Sequence, residues 1–247
     1  MKIFAHRGYS GLFPENTMLA YKEAEKTGCE AIELDCHLTK DGEVVVIHDE
    51  TLKRTTDKDG AIGYMTAAEL REANAASLYE GRYPFQPIPT FDEYCEWVAQ
   101  TEMFTNVEIK TDLVPYPKIE EKIWSIVERH GLGERMLFSC FNHVSLLNLK
   151  KIAPQARLGA LVWEEAGARA FLADYCKEYG FSAWHPSASM VTKENVDECH
   201  SVGVEVNVWT VNDFTTFTRL HEMGCDGVFT DYPEAALVWR ERVNNGK

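Results

Sequence analysis

The chain has 247 residues, of which 45% are hydrophobic and 26% are charged, a composition typical of a folded globular protein. Its 25 basic and 39 acidic residues give a formal net charge of −14, so its field repels nucleic acids and anionic membrane surfaces. We therefore exclude nucleic acid as a partner. An anionic substrate would need a local cation, either a basic side chain or a bound metal ion.

The seven cysteines are scattered and form no Cys-x-x-Cys pair, which argues against a disulfide framework or a zinc knuckle. They are interpreted as free thiols of a reducing compartment. The N-terminus runs from Met1 into Ile3-Phe4-Ala5 without a secretory signal pattern, and no apolar run reaches membrane-spanning length. These features predict a cytoplasmic protein without stable membrane association.

Short apolar runs rich in β-formers alternate with amphipathic segments along the chain. The predicted strands are residues 3–5, 31–34, 104–110, 136–140, 157–162, 181–184, 204–209 and 227–230. Eight consecutive βα units favour a closed (β/α)8 TIM barrel over an open doubly wound sheet. The first βα turn, residues 6–11, reads HRGYSG and lacks the glycine spacing of a dinucleotide-binding fold, which also favours the barrel.

The segment after the second strand breaks this alternation. A tight turn at residues 40–42 leads into another extended run, and the next barrel helix is predicted at Phe91–Gln100. Roughly forty residues are therefore additional, more than a structureless loop usually contains. A capping box at Thr66–Glu69 predicts a short helix within them. We interpret Glu50–Pro89 as a small insertion in a single domain that spans residues 1–247.

Charged residues end several predicted strands, where a barrel of this kind carries its reacting groups. Glu33 and Asp35 lie two residues apart and therefore face the same side of the second strand, as do Glu108 and Lys110 on the third. Any single pair is equally compatible with a solvent-facing strand end. Because helices cover the outside of a barrel, however, we expect Glu33, Asp35 and Glu108 to meet in its mouth. Three close carboxylates repel one another unless a cation is present, and their hard oxygens predict a Ca²⁺ or Mg²⁺ site.

Two histidines flank this predicted acidic site, because His6 ends the first strand and His48 ends the extension after the second. Imidazole exchanges protons near neutral pH, so both are candidates for general acid and base. Arg7 offers a planar charged fork that suits phosphate oxygens, and Lys110 adds a second positive charge. The pattern indicates acid/base chemistry beside a metal site, with a surface arginine and structural histidines as the alternative interpretation.

Other polar and aromatic residues near these motifs have structural interpretations. His185 is interpreted as a polar residue of a strand-to-helix loop, and Asn16 as a helix N-cap. Asp49 either orients His48 or starts a turn. Trp209 is interpreted either as barrel packing or as a ligand contact.

The ordered series of motifs resembles the glycerophosphodiester phosphodiesterase family. The matching segments are His6-Arg7-Gly8, residues 14–17, Glu33-Leu34-Asp35, Asp41-Gly42, His48-Asp49, Glu108-Ile109-Lys110, residues 209–212, Asp226-Gly227 and Thr230-Asp231. The resemblance implies a barrel with an insertion after its second strand. It also implies hydrolysis of small glycerophosphodiesters to glycerol 3-phosphate and an alcohol, with a divalent metal ion, Mg²⁺ or Ca²⁺, as cofactor.

The resemblance further implies roles for individual residues. The metal ligands would be Glu33, Asp35 and Glu108, the acid/base pair His6 and His48, and the substrate-binding residues Arg7, Lys110 and Trp209. No serine, threonine or cysteine is compelled by its position to attack phosphorus, so a hydroxyl of the substrate itself is a candidate nucleophile. The reaction would then pass through a cyclic phosphate.

Two alternatives use the same residues. A phospholipase acting on lysophospholipids or inositol lipids would show an exposed apolar rim, whereas the insertion is polar. A non-catalytic barrel that binds glycerol phosphate would be expected to lack a histidine or a carboxylate, and none is missing. The insertion is expected to contact the alcohol half of a substrate. The sequence leaves open the head group, the oligomeric state and which histidine acts first as acid.

Overall fold

The computed structural model describes residues 1–163 and 172–246. Eight parallel strands form a ring, which closes because the first strand pairs with both the second and the last. With a short antiparallel strand, β3, numbered among them, the strands are β1 (Lys2–Ala5), β2 (Ala31–Leu38), β3 (Val44–Val46), β4 (Phe104–Ile109), β5 (Met136–Cys140), β6 (Arg157–Leu161), β7 (Ala183–His185), β8 (Glu205–Val208) and β9 (Gly227–Thr230). The predicted barrel and its eight strands are confirmed.

A helix follows each barrel strand before the next one begins. These helices are α1 (Met18–Thr27), α3 (Phe91–Val98), α4 (Ile119–Arg129), α5 (His143–Ile152), α6 (Leu172–Tyr179), α7 (Lys193–Ser201), α8 (Phe214–Met223) and α9 (Pro233–Asn245), while the short α2 (Ala67–Leu70) lies in the insertion. All seven cysteines are free, as predicted, and all are buried. In the described part of the chain, no helix combines the length and apolar character needed to cross a bilayer.

Strand β2 shows how the sequence separates the packing core from the site. All eight of its residues are buried, and its side chains alternate between the two faces of the barrel wall. Leu34 and Cys36 belong to the main apolar core, whereas Glu33 and Asp35 belong to a cluster of acidic residues. The register with β4 pairs Asp35 with Glu108, which brings the third predicted carboxylate to the same end of the barrel.

The predicted insertion follows β3, which pairs antiparallel with the end of β2. It has a small apolar core of its own, formed with β3 by Val45, Ile47, Leu52, Ile62, Leu70, Ala73 and Ile88. The predicted capping box is present at residues 66–69 and begins α2. The hydroxyls of Tyr79 and Tyr83 donate to backbone carbonyls of the loop after β1, so the insertion is fixed against the barrel mouth.

Two sequence-based interpretations are wrong. Asn16 does not cap α1, because Thr17 occupies that position and its hydroxyl accepts from the amide of Ala20. Both residue types favour N-caps, so the sequence alone does not distinguish them. His185 is not in a loop but is the last residue of β7, fully buried. A methyl group on Gly159 would lie 2.6 Å from the His185 ring, so glycine leaves room for this ring inside the barrel.

Candidate active site

A cavity of about 300 Å³ opens where the barrel strands end. Seven of the predicted site residues line it, namely His6, Arg7, Glu33, His48, Glu108, Lys110 and Trp209. The eighth, Asp35, belongs to the same acidic cluster as Glu33 and Glu108. The folded chain therefore brings together residues that lie up to about two hundred positions apart, as expected for strand ends of one barrel.

The three carboxylates of Glu33, Asp35 and Glu108 each place one oxygen within 4.8 Å of the others. Burial raises the pKa of Glu33, and the neighbouring charges of Asp35 and Glu108 raise it further. Burial alone would also raise the pKa of Asp35, but the attraction of His48, Arg7 and Lys110 and a hydrogen bond from a neighbouring amide outweigh it, and the pKa is lowered. Without a further cation, the cluster therefore favours a proton on Glu33.

The hydrogen bonds of Asp35 test whether this cluster suits a metal ion. Its Oδ2 accepts from Asn16 at 2.8 Å, and the Asn16 amide is itself held by the hydroxyl of Tyr21 at 2.8 Å. Its Oδ1 is buried and has no hydrogen-bond partner among the described residues. A buried carboxylate oxygen without a partner is costly unless a cation occupies the space beside it. Three converging carboxylates therefore fit a hard divalent cation such as Mg²⁺ or Ca²⁺.

Two cationic side chains line the cavity next to these carboxylates. The Lys110 ammonium donates to Glu108 at 2.8 Å, and the Arg7 guanidinium donates to Glu15 at 2.9 Å. The Nε of Arg7 is buried without a hydrogen-bond partner in the described structure. Both cations therefore lie where they can bind an anionic group that enters the cavity.

The turn after β1 places Arg7 through local backbone geometry. Gly8 has a φ of 79°, and a Cβ there would lie 2.8 Å from the backbone of Ala20 in α1, so only glycine fits this close approach. The Arg7 amide donates to Glu33 at 2.8 Å. The His6-Arg7-Gly8 motif thus joins the turn directly to the acidic cluster.

His6 is held by a carboxylate that follows the last strand. Its Nδ1 donates to Asp231 at 2.6 Å, and Asp231 also accepts from Ser10 at 3.0 Å and from Asn212 at 2.6 Å. Burial favours a raised pKa for Asp231, but these hydrogen bonds and the attraction to His6 outweigh it and lower the pKa to about 2. An ionised Asp231 requires the proton on Nδ1 of His6, so Nε2 is the nitrogen left for proton exchange.

His48 has the same arrangement with different partners. Its Nδ1 donates to Asp49 at 2.6 Å, in agreement with the interpretation that Asp49 orients it. Burial favours a raised pKa for Asp49, but hydrogen bonds from Arg54 and His48 lower it to about 2. Arg54 reaches Asp49 at 2.7 Å and Glu15 at 2.8 Å, and His37 donates to the backbone carbonyl of His48 at 3.0 Å.

Sequence reasoning missed most of these supporting residues. Asp231 directly follows β9, so its place at a strand end was a usable signal. The sequence gives no comparable signal for Arg54 or His37. Arg54 lies in the irregular insertion, and His37 lies in a strand whose other polar residues already had a role.

The cavity also has an aromatic side that sequence reasoning identified only through Trp209. Phe141, after β5, stacks on Trp163, after β6, with ring centroids 3.9 Å apart and an interplanar angle of 16°. Trp209 meets Phe141 edge-on at 5.8 Å, and its indole N–H donates to the carbonyl of His185 at 2.9 Å. Of the described insertion residues, Glu50 alone lines the cavity, and the contact of the insertion with the alcohol half of a substrate stays a prediction.

Comparisons with known proteins identify the family to which the chain is similar. A sequence model of the glycerophosphoryl diester phosphodiesterase family matches residues 6–235. The glycerophosphodiester phosphodiesterase of Caldanaerobacter subterraneus subsp. tengcongensis is 37% identical to this chain, and the alignment covers 95% of this chain and 96% of the relative. That of Bacillus altitudinis is also 37% identical, and the alignment covers 98% of this chain and 99% of the relative. An Oleispira antarctica phosphodiesterase, solved with the product sn-glycerol-3-phosphate, is similar with a TM-score of 0.86 and 30% identity, covering 98% of this chain and 97% of that one.

We predict that Glu33→Gln, Asp35→Asn and Glu108→Gln each weaken the binding of Ca²⁺ or Mg²⁺. Loss of a residue that only supports a ligand costs about 10- to 100-fold in metal affinity, so loss of a ligand charge should cost at least as much. Isothermal titration calorimetry of each variant measures this, with circular dichroism to verify the fold. Glu96→Gln, on the exposed surface of α3, is the matched control. Wild-type affinity in all three site variants would contradict the assignment.

Proposed function

This chain belongs to the glycerophosphoryl diester phosphodiesterase family and is a glycerophosphodiester phosphodiesterase; we propose that it forms glycerol 3-phosphate with a divalent metal ion and two histidines. One observation carries the proposal. His6 and His48 line one cavity beside three clustered carboxylates, and each donates from Nδ1 to an aspartate. A proton-transfer reaction on a charged substrate needs this combination of groups.

In this proposal Glu33, Asp35 and Glu108 hold the metal ion. A bound divalent ion would act as a Lewis acid toward the phosphoryl oxygens. Arg7 and Lys110 bind the same oxygens, and they remain positively charged because burial, which lowers the pKa of both, is outweighed by neighbouring carboxylates. Their charges oppose the field of a protein with a net charge of −14 and favour entry of an anionic diester.

The two histidines exchange the protons. Because Nδ1 of each donates to an ionised aspartate, Nε2 of each is the reacting atom. One Nε2 accepts a proton from the attacking hydroxyl, and the other donates a proton to the oxygen of the departing alcohol. General acid and base groups of this kind each contribute about 10² to 10⁴ in rate.

We propose that the attacking hydroxyl belongs to the glycerol of the substrate. Ser139 and Thr210 also line the cavity, but neither hydrogen-bonds to His6 or His48 within the described structure, as an activated protein nucleophile requires. The neighbouring glycerol hydroxyl instead attacks phosphorus, the bond to the alcohol breaks, and a five-membered cyclic phosphate forms. Water then opens the ring with the histidine roles reversed. Intramolecular attack saves several kcal/mol, up to about 7–11 in well-oriented cases.

The histidines and their aspartates provide one test. We predict that His6→Ala and His48→Ala each lower kcat by about 10² to 10⁴, because each removes a general acid or base. Asp231→Asn and Asp49→Asn should also lower kcat, because an amide does not hold the proton on Nδ1.

The readout for these variants is glycerol 3-phosphate released from glycerophosphodiesters in a coupled assay. His200→Ala, a surface substitution on α7, is the control and should retain wild-type kcat. A histidine variant with wild-type kcat would remove that histidine from the mechanism.

Metal removal provides a second test. We predict that excess chelator abolishes turnover and that added Mg²⁺ or Ca²⁺ restores it, because the acidic cluster otherwise repels the anionic diester. The same coupled assay measures both steps. Full activity after complete removal of metal, verified by elemental analysis, would contradict metal dependence.

A deoxy substrate tests the cyclic route. A diester whose glycerol half lacks the hydroxyl next to the phosphorylated carbon should bind but not turn over, because it has no internal nucleophile. Phosphorus NMR of the normal reaction should also detect the cyclic phosphate when product is trapped early. Normal rates on the deoxy substrate would instead indicate direct attack by water, and the proposed residue roles would remain.

A further inference from the structure

One guanidinium group of the insertion binds two carboxylates at once. Arg54 donates to both oxygens of Asp49, from Nε at 2.7 Å and from Nη2 at 3.0 Å. It also donates to both oxygens of Glu15, from Nη1 at 2.9 Å and from Nη2 at 2.8 Å. Bidentate contacts of this kind fix the direction of a carboxylate as well as its distance. Arg54 therefore sets the positions of Asp49 and Glu15 relative to each other.

Each of these carboxylates holds a side chain that lines the cavity. Asp49 accepts from Nδ1 of His48 at 2.6 Å. Glu15 accepts from the guanidinium of Arg7 at 2.9 Å. His48 and Arg7 both line the cavity, whereas Arg54, although among the described residues, does not. Arg54 therefore reaches both side chains through their carboxylate partners.

Arg54 also keeps both carboxylates ionised. Burial favours a raised pKa for Asp49, but hydrogen bonds from Arg54 and then from His48 outweigh it and lower the pKa to about 2. Burial likewise favours a raised pKa for Glu15, but the hydrogen bonds from Arg54 and the charge of Arg7 lower it instead. An ionised carboxylate only accepts hydrogen bonds, so near neutral pH both groups present acceptors to the side chains that they hold.

The fold of the insertion places Arg54 where it can make these contacts. Arg54 lies in a turn in which the backbone carbonyl of Leu52 accepts from the amide of Thr56 at 3.1 Å and from its hydroxyl at 3.0 Å. The amide of Leu52 donates to the carbonyl of Gly60 at 3.0 Å. The side chain of Leu52 is fully buried in the apolar core of the insertion. Core packing and local hydrogen bonds together therefore fix the turn that carries Arg54.

We propose that Arg54 is a positioning residue of the reaction, which orients His48 for proton transfer by fixing Asp49. The inference rests on the proposed function, which makes His48 one of the two residues that exchange protons. Proton transfer requires hydrogen-bond distance between Nε2 and the reacting oxygen. A carboxylate that was free to rotate would not hold the imidazole ring in one orientation, so an outer residue that fixes the carboxylate also fixes the ring.

The contact with Glu15 predicts a smaller effect on substrate binding. Arg7 donates to Glu15 directly at 2.9 Å, and this contact does not require Arg54. In contrast, Asp49 is the single hydrogen-bond partner of the His48 side chain among the described residues. Loss of Arg54 should therefore lower kcat by a larger factor than it raises KM.

The alternative is an ordinary solvent-facing ion pair without effect on the reaction. The Arg54 side chain is 45% exposed, and exposed ion pairs usually contribute little. The insertion provides a matched comparison, because the Arg71 side chain is 44% exposed and its Nη1 contacts both oxygens of Glu93 at 2.6 and 2.7 Å. Glu93 belongs to the capping box that begins α3 and does not line the cavity. Arg71→Ala therefore measures the cost of losing an arginine ion pair of the insertion without a link to the site.

The test measures kcat and KM of the metal-loaded wild-type protein and its variants with a panel of glycerophosphodiesters. Arg54→Ala should lower kcat by about 10- to 100-fold, the usual cost of losing an outer residue that orients a site group. KM should rise by at most about fivefold, which corresponds to one exposed ion pair. Arg54→Lys should recover only part of kcat, because an ammonium group does not form the bidentate fork. Arg71→Ala should retain the wild-type values, and thermal unfolding verifies that each variant is folded.

A double-mutant cycle shows whether Arg54 acts through Asp49. In the Asp49→Asn background the orienting carboxylate is already lost, so adding Arg54→Ala should lower kcat little further, by about twofold at most. Fully additive effects of the two substitutions would overturn the inference. The same conclusion would follow if Arg54→Ala had the kcat of Arg71→Ala.

Turnover by the wild-type protein separates this inference from the proposed function. Absence of turnover with every glycerophosphodiester would contradict the proposed function. In that case crystal structures of Arg54→Ala and Arg71→Ala decide the inference, because they show the His48 side chain without reference to activity. A contact between His48 and Asp49 that kept its 2.6 Å distance and ring orientation in Arg54→Ala would overturn it.

Discussion

Three carboxylates held together in the barrel mouth are the constraint on which the rest of the site depends. Two unit charges 4 Å apart repel by about 4 kcal/mol at an effective dielectric constant of 20, and Glu33, Asp35 and Glu108 are all largely buried. The surrounding residues compensate for this charge. Lys110 pairs with Glu108, Asn16 donates to Asp35, and the backbone of the turn after β1 donates to Glu33. Each compensating group also fixes the direction of one carboxylate, so the same contacts that stabilise the cluster shape it for a cation.

This compensation extends outward and explains how the insertion contributes to the site. Arg7 pairs with Glu15, Glu15 pairs with Arg54, and Arg54 pairs with Asp49. The series joins the turn after β1 to the insertion and ends at the carboxylate that holds His48. Surface ion pairs are individually weak, but here several charges form one network with bidentate contacts to Arg54. We therefore interpret the insertion chiefly as a support that positions His48.

Much of this arrangement was predictable because it follows from the alternation of side chains along each strand and from the order of the strands in the barrel. Alternation along β2 separates Leu34 from Glu33 and Asp35, and that pattern is visible in the sequence. Contacts between loops were not predictable in this way. Asp231 contacts His6 although 225 positions separate them in the sequence, and Arg54 contacts Glu15 at a separation of 39 positions. No periodicity in the sequence indicates either contact. The stacking of Phe141 on Trp163 likewise depends on the loops after two neighbouring strands. His185 was assigned to a loop instead of β7 because the residue before a proline has the same sequence pattern at a strand end and at the start of a loop.

The two histidines are built alike from unrelated parts of the chain, and the proposed reaction gives a reason. In a route that closes a cyclic phosphate and then opens it, each histidine acts once as acid and once as base. Each must therefore return to the same tautomer after every transfer. A carboxylate with its pKa lowered to about 2, placed 2.6 Å from Nδ1, enforces this for His6 through Asp231 and for His48 through Asp49. A histidine that acts in one direction needs the same tautomer, so the matched pairs leave Nε2 of both histidines as the nitrogen that exchanges a proton.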